Sequence, residues 1–278
     1  MHSLSMDIDK VAGGEQRRVA DMVAIEEPLE IRLAWSTPKG RATRSISITM
    51  RTPGNDNELA AGFLYTEGII SGQSDIDAIE TCGPPAPESG LHNVIRVELQ
   101  QDVSVDLGRL QRHFYTTSSC GVCGKTSLEA LRVAGHESLP AEVTFSASAL
   151  TSIPDKLRAA QNTFDATGGL HAATVFSSDG KLGPVMEDVG RHNAVDKVIG
   201  RMLLDGTLPG STNGMMVSGR ASFELVQKTL VAGIPLLAAV SAPSSLAVGL
   251  ASEFNMTLVG FLRGSTYNVY SAPERLVS

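Results

Sequence analysis

The feature that most constrains the fold is a regular alternation of strand-like and helix-like segments in the second half of the chain. Short apolar runs alternate there with longer segments that carry the pattern of helices. The predicted strands are 172–177, 181–186, 214–218, 235–241 and 257–262, and the predicted helices begin near His192 and cover 221–232 and 244–254. Such alternation is typical of an α/β layer with a largely parallel sheet, in which ligands bind where strands lead into helices.

Residues 21–112 have a different pattern, in which apolar side chains alternate with polar or small ones. A two-residue period of this kind indicates strands with one buried face. The predicted strands lie around 29–35, 46–50 and 93–99, with a helix at 55–67 and a proline-rich loop or insertion at 83–87. We therefore expect a small α+β roll over 21–112. A flexible tail is expected at 1–20, because this polar stretch lacks the apolar centre of a secretory signal.

A chain of 278 residues is long enough for two domains. We assign the second domain to residues 113–278, as a three-layer α/β domain with a cysteine loop at its start. The net charge of −7 argues against a general nucleic-acid partner, since phosphate contacts need a basic surface. A local pocket that binds one small anion is compatible with this net charge. The longest apolar run, 230–240, is too short to span a membrane.

Three cysteines do not make a disulfide framework, which points to a cytoplasmic protein. Two of them, Cys120 and Cys123, form a CGVCG loop just before a segment whose Thr126 and Glu129 fit a helix capping box. A thiol near the positive end of such a helix has a lowered pKa, and the flanking glycines expose it. Four interpretations follow: a buried structural pair, a zinc half-site, a dithiol redox centre, and a thiolate that carries sulfur as a persulfide.

Local chemistry separates these interpretations only in part. The polar, glycine-rich flanks argue against a buried structural pair. A zinc site would need ligands such as Cys82, His113 and His171, whose spacing follows no zinc pattern. Redox chemistry and sulfur transfer are supported about equally, because both use an exposed thiolate of low pKa.

Six segments together resemble the FdhD family of formate dehydrogenase accessory proteins, and they occur in the order in which that family carries them. The segments are TSSCGVCG at 117–124, TGGLHAA at 167–173, EDVGRHNAVDK at 187–197, SGR at 218–220, RG at 263–264 and NVY at 268–270. The resemblance covers nearly the whole chain and implies a sulfurtransferase that acts through a cysteine persulfide. It identifies Cys120 as the persulfide residue, with Cys123 assisting it.

The resemblance also implies partners and a fold. A cysteine desulfurase would load the sulfur, which would pass to the molybdenum (or tungsten) bis-guanine-dinucleotide cofactor before that cofactor is inserted into the formate dehydrogenase apoprotein. The second domain would resemble cytidine deaminase without its zinc site, because HAA at 171–173 lacks the signature glutamate and no P-C-x-x-C follows. We expect no bound metal and no nucleic-acid or membrane partner. A homodimer is the default oligomer.

Two groups of residues are candidates for binding this cofactor. In the family resemblance, the binding stretch corresponds to Phe261, Leu262, Arg263, Gly264, Ser265 and Thr266. This chain departs from the family pattern at 265–267, where hydroxyl side chains stand in place of a further basic residue. The second group lies at predicted strand ends and helix starts, where a phosphate is well placed. It consists of His171, Arg191, His192, Ser218 and Arg220.

Plainer interpretations compete with these. His171 would also suit a hydrogen-bonded position in the core, Asp188 a helix cap, and 218–220 an ordinary turn between strand and helix. Two other functions compete as well. One is a thiol–disulfide oxidoreductase with a reversible Cys120–Cys123 disulfide. The other is a non-catalytic chaperone that delivers the cofactor and needs neither cysteine.

Overall fold

The computed structural model describes residues 2–87, 89–105, 138–140 and 142–278. The strands in these ranges are β1 (Ser3–Ala12), β2 (Glu15–Ala24), β3 (Glu27–Thr37), β4 (Gly40–Arg51), β5 (Ile76–Pro85), β6 (His92–Leu99), β7 (Phe145–Ser146), β8 (His171–Ser177), β9 (Met186–Asp188), β10 (Asn213–Val217), β11 (Leu236–Ala239), β12 (Thr257–Arg263), β13 (Thr266–Ser271) and β14 (Leu276–Val277). The helices are α1 (Asp56–Thr66), α2 (Ala147–Ala160), α3 (Asn162–Thr167), α4 (Arg191–Leu204), α5 (Phe223–Val231) and α6 (Ser245–Glu253), with short 3-10 helices at Gln73–Asp75 and Pro273–Arg275. Cys120, Cys123 and the capping box at Thr126 and Glu129 lie outside these ranges.

Residues 3–24 form a β-hairpin, which corrects the flexible tail expected at 1–20. β1 and β2 pair antiparallel along their full length. Gly13 and Gly14 make the turn with φ angles of 60° and 88°, left-handed conformations that suit a two-residue hairpin connection. Because both strands are largely exposed, their polar composition resembles that of an unstructured tail.

The next strands form a four-stranded sheet in the order β4-β3-β6-β5, with α1 packed on one face. β3 and β6 are parallel, and the other neighbours are antiparallel. The apolar side chains that alternate along 29–35 are buried in its core. The loop predicted at 83–87 is wrong in part, because 83–85 continues β5 with a bulge. β5 is an edge strand, where prolines are tolerated because one side needs no hydrogen-bond donor.

A six-stranded sheet in the order β13-β12-β11-β10-β8-β9 organises the second half of the chain. It is mixed, and the prediction of a largely parallel sheet is wrong. β10-β11 and β11-β12 are parallel because α5 and α6 provide the crossover connections. The pairs β8-β9, β8-β10 and β12-β13 are antiparallel. A tight turn at Gly264, with φ 52°, joins β12 directly to β13 and leaves no room for a crossover.

The strand predicted at 181–186 is also wrong. Only one bridge, between Leu182 and Phe176, and the three residues of β9 pair with β8 in this region. Pro184 lacks a backbone N–H and cannot donate to a ladder, which interrupts the strand. The other strands and helices predicted between 172 and 262 match the observed elements to within a few residues.

The large sheet carries helices on both faces. On one face α4, α5 and α6 pack against alternate strand residues in one apolar core. On the other face α2 packs against the intervening residues, through Leu150, Ile153 and Leu157. This part of the protein is therefore a three-layer arrangement of mixed α/β type. No helix in the described ranges is both long and apolar enough to cross a membrane.

A junction of buried polar groups joins the two sheet units, where α1 crosses α4. Gly62 allows the close approach, because a Cβ added there would lie 1.9 Å from the backbone oxygen of Asp196. Lys228 Nζ lies 2.9 and 3.0 Å from the carboxylate oxygens of Asp196 and donates to Thr66 Oγ1 at 2.8 Å. Burial works to lower the pKa of Lys228, but the carboxylates of Asp196 and Glu67 outweigh it and raise that pKa. The lysine therefore stays charged inside the junction.

The C-terminal residues fasten the chain segment that follows the cysteines. Arg275 is fully buried, and its Nη2 donates to the carbonyl oxygens of Leu139 and Pro140 at 3.1 and 2.8 Å. Asn255 donates to the same Leu139 oxygen at 3.0 Å. β14 also pairs in parallel with β7, so the last residues of the chain hold the start of the α/β layer in place.

Candidate functional site

A pocket of about 630 Å³ lies at the carboxyl ends of the parallel strands β10, β11 and β12. The sheet edge forms one wall, and α2, α3 and the glycine turn at 168–169 form the other. This is the edge at which open α/β sheets bind ligands, and the volume is within the range of small-molecule sites. The observed topology therefore places a candidate binding site where the sequence analysis expected one.

Five of the predicted residues line this pocket: His171, Ser218, Leu262, Arg263 and Gly264. Ser218 directly follows β10, and its Oγ accepts a hydrogen bond from the backbone N–H of Ala172 at 2.8 Å, which fixes the first residues of β8. Leu262 is fully buried and contributes an apolar wall. Arg263 is exposed, and its Nε donates to the Val240 carbonyl at 3.1 Å, so its guanidinium is held beside the opening.

Arg191 lies beside this group without lining the pocket. A Cβ added to Gly219 would be 3.3 Å from His171 Nδ1 and 3.9 Å from Arg191 Cδ, so both side chains approach the same glycine. Burial, and after it the positive charge of Arg191, lowers the pKa of His171, although Asp188 opposes the shift. His171 is therefore neutral at pH 7. The buried Nε of Arg191 has no hydrogen-bond partner among the described residues.

The remaining predicted residues do not line the pocket. His192 faces the start of α5, 3.5 Å from Ser222 Oγ and 3.9 Å from Glu224 Oε2. Burial, together with the charges of Arg191 and Lys228, lowers the pKa of His192 to about 4. Arg220, Ser265 and Thr266 are exposed.

Phe261 is 41 % exposed and has φ 53°, an uncommon left-handed conformation for an aromatic residue. A bulge between Gly260 and Arg263 interrupts the β12-β13 ladder at this point. Bulges change the direction of neighbouring side chains, which accounts for Arg263 rather than Phe261 lining the pocket.

Several residues of the motif at 187–197 serve the junction between the sheet units. Asp188 is fully buried and pairs with Lys197 Nζ at 2.7 Å. Its other oxygen accepts from Gly190 N and from Asn193 Nδ2 at 2.8 and 2.9 Å. Lys197 also donates to the Thr52 carbonyl at 2.9 Å. The contacts of Asp188 are therefore structural, in line with the plainer interpretation. They extend beyond the capping of one helix.

The wall formed by α2 and α3 contains no residue that was predicted from the sequence to bind the cofactor. Asp155, Arg158, Gln161 and Phe164 all line the pocket. The Arg158 guanidinium carbon lies 4.6 Å from the centre of the Phe164 ring, within the range of a cation–π contact. Residues 154, 158 and 161 follow the i, i+4, i+7 spacing of one helix face, a signal that the sequence does carry. Within the described ranges no group of three or more His, Cys, Asp or Glu residues is placed to bind a metal.

Comparisons with known proteins give the family. A sequence model described as the FdhD/NarQ family matches residues 24–277. The sulfur carrier protein FdhD of Streptomyces coelicolor is 52% identical over 261 residues, covering 92% of this chain and 89% of that protein. The protein of the same name from Mycolicibacterium paratuberculosis is 49% identical and covers 97% of both chains.

A solved structure supports the same assignment. The crystal structure of a candidate formate dehydrogenase accessory protein from Desulfotalea psychrophila has a TM-score of 0.76 to this chain, at 27% identity. The match covers 100% of both chains. The sequence resemblance noted at 117–270 is therefore confirmed by relatives that span nearly the whole protein. The chain belongs to the FdhD/NarQ family.

Proposed function

We propose that the protein is a sulfur carrier that serves formate dehydrogenase. It accepts sulfur from a cysteine desulfurase as a persulfide on Cys120. It passes this sulfur to the molybdenum (or tungsten) bis-guanine-dinucleotide cofactor before the cofactor enters the apoenzyme. Support comes from the names of relatives about 50% identical and from the accessory protein that shares the fold.

The observation that carries the proposal is the 630 Å³ pocket at the carboxyl edge of the sheet. Leu157, Leu170, Val240 and Leu262 supply apolar surface for a planar ring. Arg263 supplies positive charge at the same opening, suited to the phosphates of a nucleotide. Arg158 also lines the pocket, but its guanidinium is paired with Asp165 at 2.5 Å. A pocket of this size suits one nucleotide end of the client cofactor.

Loading is a thiolate–persulfide exchange. The Cys120 thiolate attacks the outer sulfur of the desulfurase persulfide, forming a new S–S bond. The S–S bond within the donor breaks, and the donor cysteine leaves as a thiolate. Cys120 then carries one extra sulfur, and no outside oxidant or reductant is used. Cys123 assists, either by relaying the sulfur or by resolving the persulfide. In the second case the Cys123 thiolate attacks the inner sulfur, the Cys120–Cys123 disulfide forms, and the outer sulfur leaves as hydrosulfide for the cofactor.

Mass spectrometry after incubation with a cysteine desulfurase and cysteine tests the loading step. Wild type should gain the mass of one sulfur atom, and Cys120→Ala should gain none. Cys82→Ala is the matched control, because Cys82 lies on β5 outside the pocket, and it should load as wild type does. An adduct that persists in Cys120→Ala would contradict the role of Cys120. Formate dehydrogenase activity retained with Cys120→Ala would instead favour the delivery chaperone.

Calorimetric titration with GDP, as a probe for the nucleotide end of the client, tests the pocket. Arg263→Ala should weaken binding roughly ten-fold, because a charge-assisted contact to phosphate is lost. Arg44→Ala, an exposed arginine on β4, should bind GDP as wild type does. Equal affinities of Arg263→Ala and wild type would remove this pocket from the proposal.

A further inference from the structure

Gln161 is the most deeply buried polar side chain of the pocket wall. It lies at the junction of α2 and α3, is 4% exposed, and lines the pocket. Its carboxamide makes no hydrogen bond to any residue in the described ranges. No metal or nucleotide motif includes it, and it is absent from the binding residues predicted by sequence.

The backbone of Gln161 is fixed from both helices. Its N–H donates to the Arg158 carbonyl at 3.3 Å, and its carbonyl accepts from Asp165 N at 3.0 Å. Its φ and ψ of −85° and 73° make the turn between the helices. The position of the side chain is therefore set by the fold, while its donors and acceptor have no partner among the residues that the structure describes.

The amide atoms of Gln161 open on the cavity, although the residue as a whole is only 4% exposed. A carboxamide in this position, with no partner among the described residues, offers its donors and its acceptor to whatever occupies the cavity, water or a ligand. Leucine has a similar size and would fill the buried part of the position equally well. The polar end of the side chain is thus better explained by a ligand than by packing.

We propose that Gln161 recognises the polar edge of the heterocycle that the pocket binds, a role that rests on the proposed function. A carboxamide carries an acceptor beside two donors and pairs with an adjacent donor and acceptor on a ring edge. The 2-amino-oxo-pyrimidine edge has this arrangement. Guanine and the pterin of the client cofactor share it. Leu157, Leu170 and Val240 line the same pocket and offer apolar surface to the ring faces.

Gln161→Leu separates recognition from a structural role. Its affinity for GDP should fall roughly ten-fold. The melting temperature of the ligand-free protein should change little, because the amide opens on the cavity and has no partner among the described residues. A purely structural glutamine predicts the reverse, with a lower melting temperature and unchanged affinity. Gln227→Leu is the matched control, because Gln227 is a half-buried glutamine on α5 outside the pocket, and it should bind as wild type does.

Ligand analogues identify the contact. IDP lacks the 2-amino group, and the diphosphate of 2-aminopurine riboside lacks the 6-oxo group. Wild type should bind at least one of them more weakly than GDP, and that difference should disappear in Gln161→Leu. A difference that persists in Gln161→Leu would overturn the role of Gln161 while leaving the nucleotide pocket in place.

Titration with a free pterin distinguishes whether Gln161 recognises the guanine or the pterin of the client cofactor. Binding of pterin without GDP, with the same dependence on Gln161, would support the role of Gln161 and contradict the guanine part of the proposed function. Binding of neither probe by wild type would overturn both. Binding of GDP with equal affinity by wild type and Gln161→Leu would overturn the recognition role alone.

Discussion

Polar side chains are buried in two regions of the protein, the junction where α1 crosses α4 and the wall of the pocket. The two regions differ in how these side chains are hydrogen-bonded. At the junction, Lys228 contacts Asp196, Thr66 and Glu67, and Lys197 contacts Asp188 and two carbonyl oxygens. Each ammonium has three donors and at least three acceptors. Gln161 on the pocket wall has no hydrogen-bond partner in the described part of the chain. The buried Nε of Arg191, which lies near Gly219, is likewise unpaired there.

The difference separates polar groups that hold the fold from polar groups available to a ligand. A satisfied buried network is stabilising only as a whole, since removing one member leaves its partner desolvated and unpaired. A polar group that opens on a cavity without a protein partner is available to a ligand that displaces water there. Substitutions should therefore reduce stability at the junction and reduce binding at the pocket.

Asp196→Ala should have the largest effect on stability. It removes the main partner of Lys228, whose side chain is 8% exposed, and should lower the free energy of unfolding by about 3–5 kcal/mol. Urea denaturation measures the change. Asp205→Ala is the control, because it breaks the exposed pair with Arg201, and it should cost less than about 1 kcal/mol. Equal losses of unfolding free energy in the two variants would contradict the distinction between the buried junction and an exposed ion pair.

Gly62→Ala should have the next largest effect. Its Cβ would lie 1.9 Å from the Asp196 backbone oxygen, so α1 and α4 would have to separate, at a cost of about 1–3 kcal/mol. The midpoint of thermal unfolding measures it. Gly249→Ala in α6 meets no atom within 4 Å and should instead stabilise the helix by about 0.5–1 kcal/mol. A neutral Gly62→Ala would show that the junction tolerates a wider crossing.

His192→Gln should have the smallest effect, confined to acidic pH. The folded-state pKa of about 4 lies below the ordinary 6.5, so the unfolded state takes up a proton first as pH falls. Wild type keeps this contribution above pH 6.5 and loses it between 6.5 and 4. His192→Gln should show a shallower decline of unfolding free energy over that window. The side chain is 37% exposed, so solvent screening makes the difference small.

The wild-type profile of unfolding free energy against pH is the reference for this variant. If His192→Gln followed the wild-type profile throughout, His192 would belong with the solvated surface and with neither of the two regions compared.

Most of the elements that build the pocket are predictable from the sequence. Three of its strands are short apolar runs between helices, namely β10, β11 and β12. Such runs are expected where both faces of a sheet are buried. The motifs at 171, 218 and 263 also fall at strand ends, which topology brings to one edge. Local sequence is informative here because each strand and each connection is itself local.

The remaining features depend on contacts between distant segments. The mixed sheet follows from the connection after β12, where a turn replaces a helix. The helix-face spacing of 154, 158 and 161 is visible in the sequence, but the proposed role of Gln161 arises from a cavity whose other wall lies about a hundred residues away at Leu262 and Arg263. His192 and Asp188 share one polar motif, yet one faces α5 and the other pairs with Lys197 inside the junction. Residue type alone does not distinguish these surroundings.

The contacts of Arg275 join two stretches of the chain that lie far apart in sequence. Its guanidinium holds the carbonyl oxygens of Leu139 and Pro140, which belong to the first described stretch after Cys120 and Cys123. Arg275→Ala would change no pocket residue and no cysteine, yet it would take a buried donor away from both carbonyls. The segment that follows the cysteines is therefore anchored by a residue 135 positions beyond Pro140.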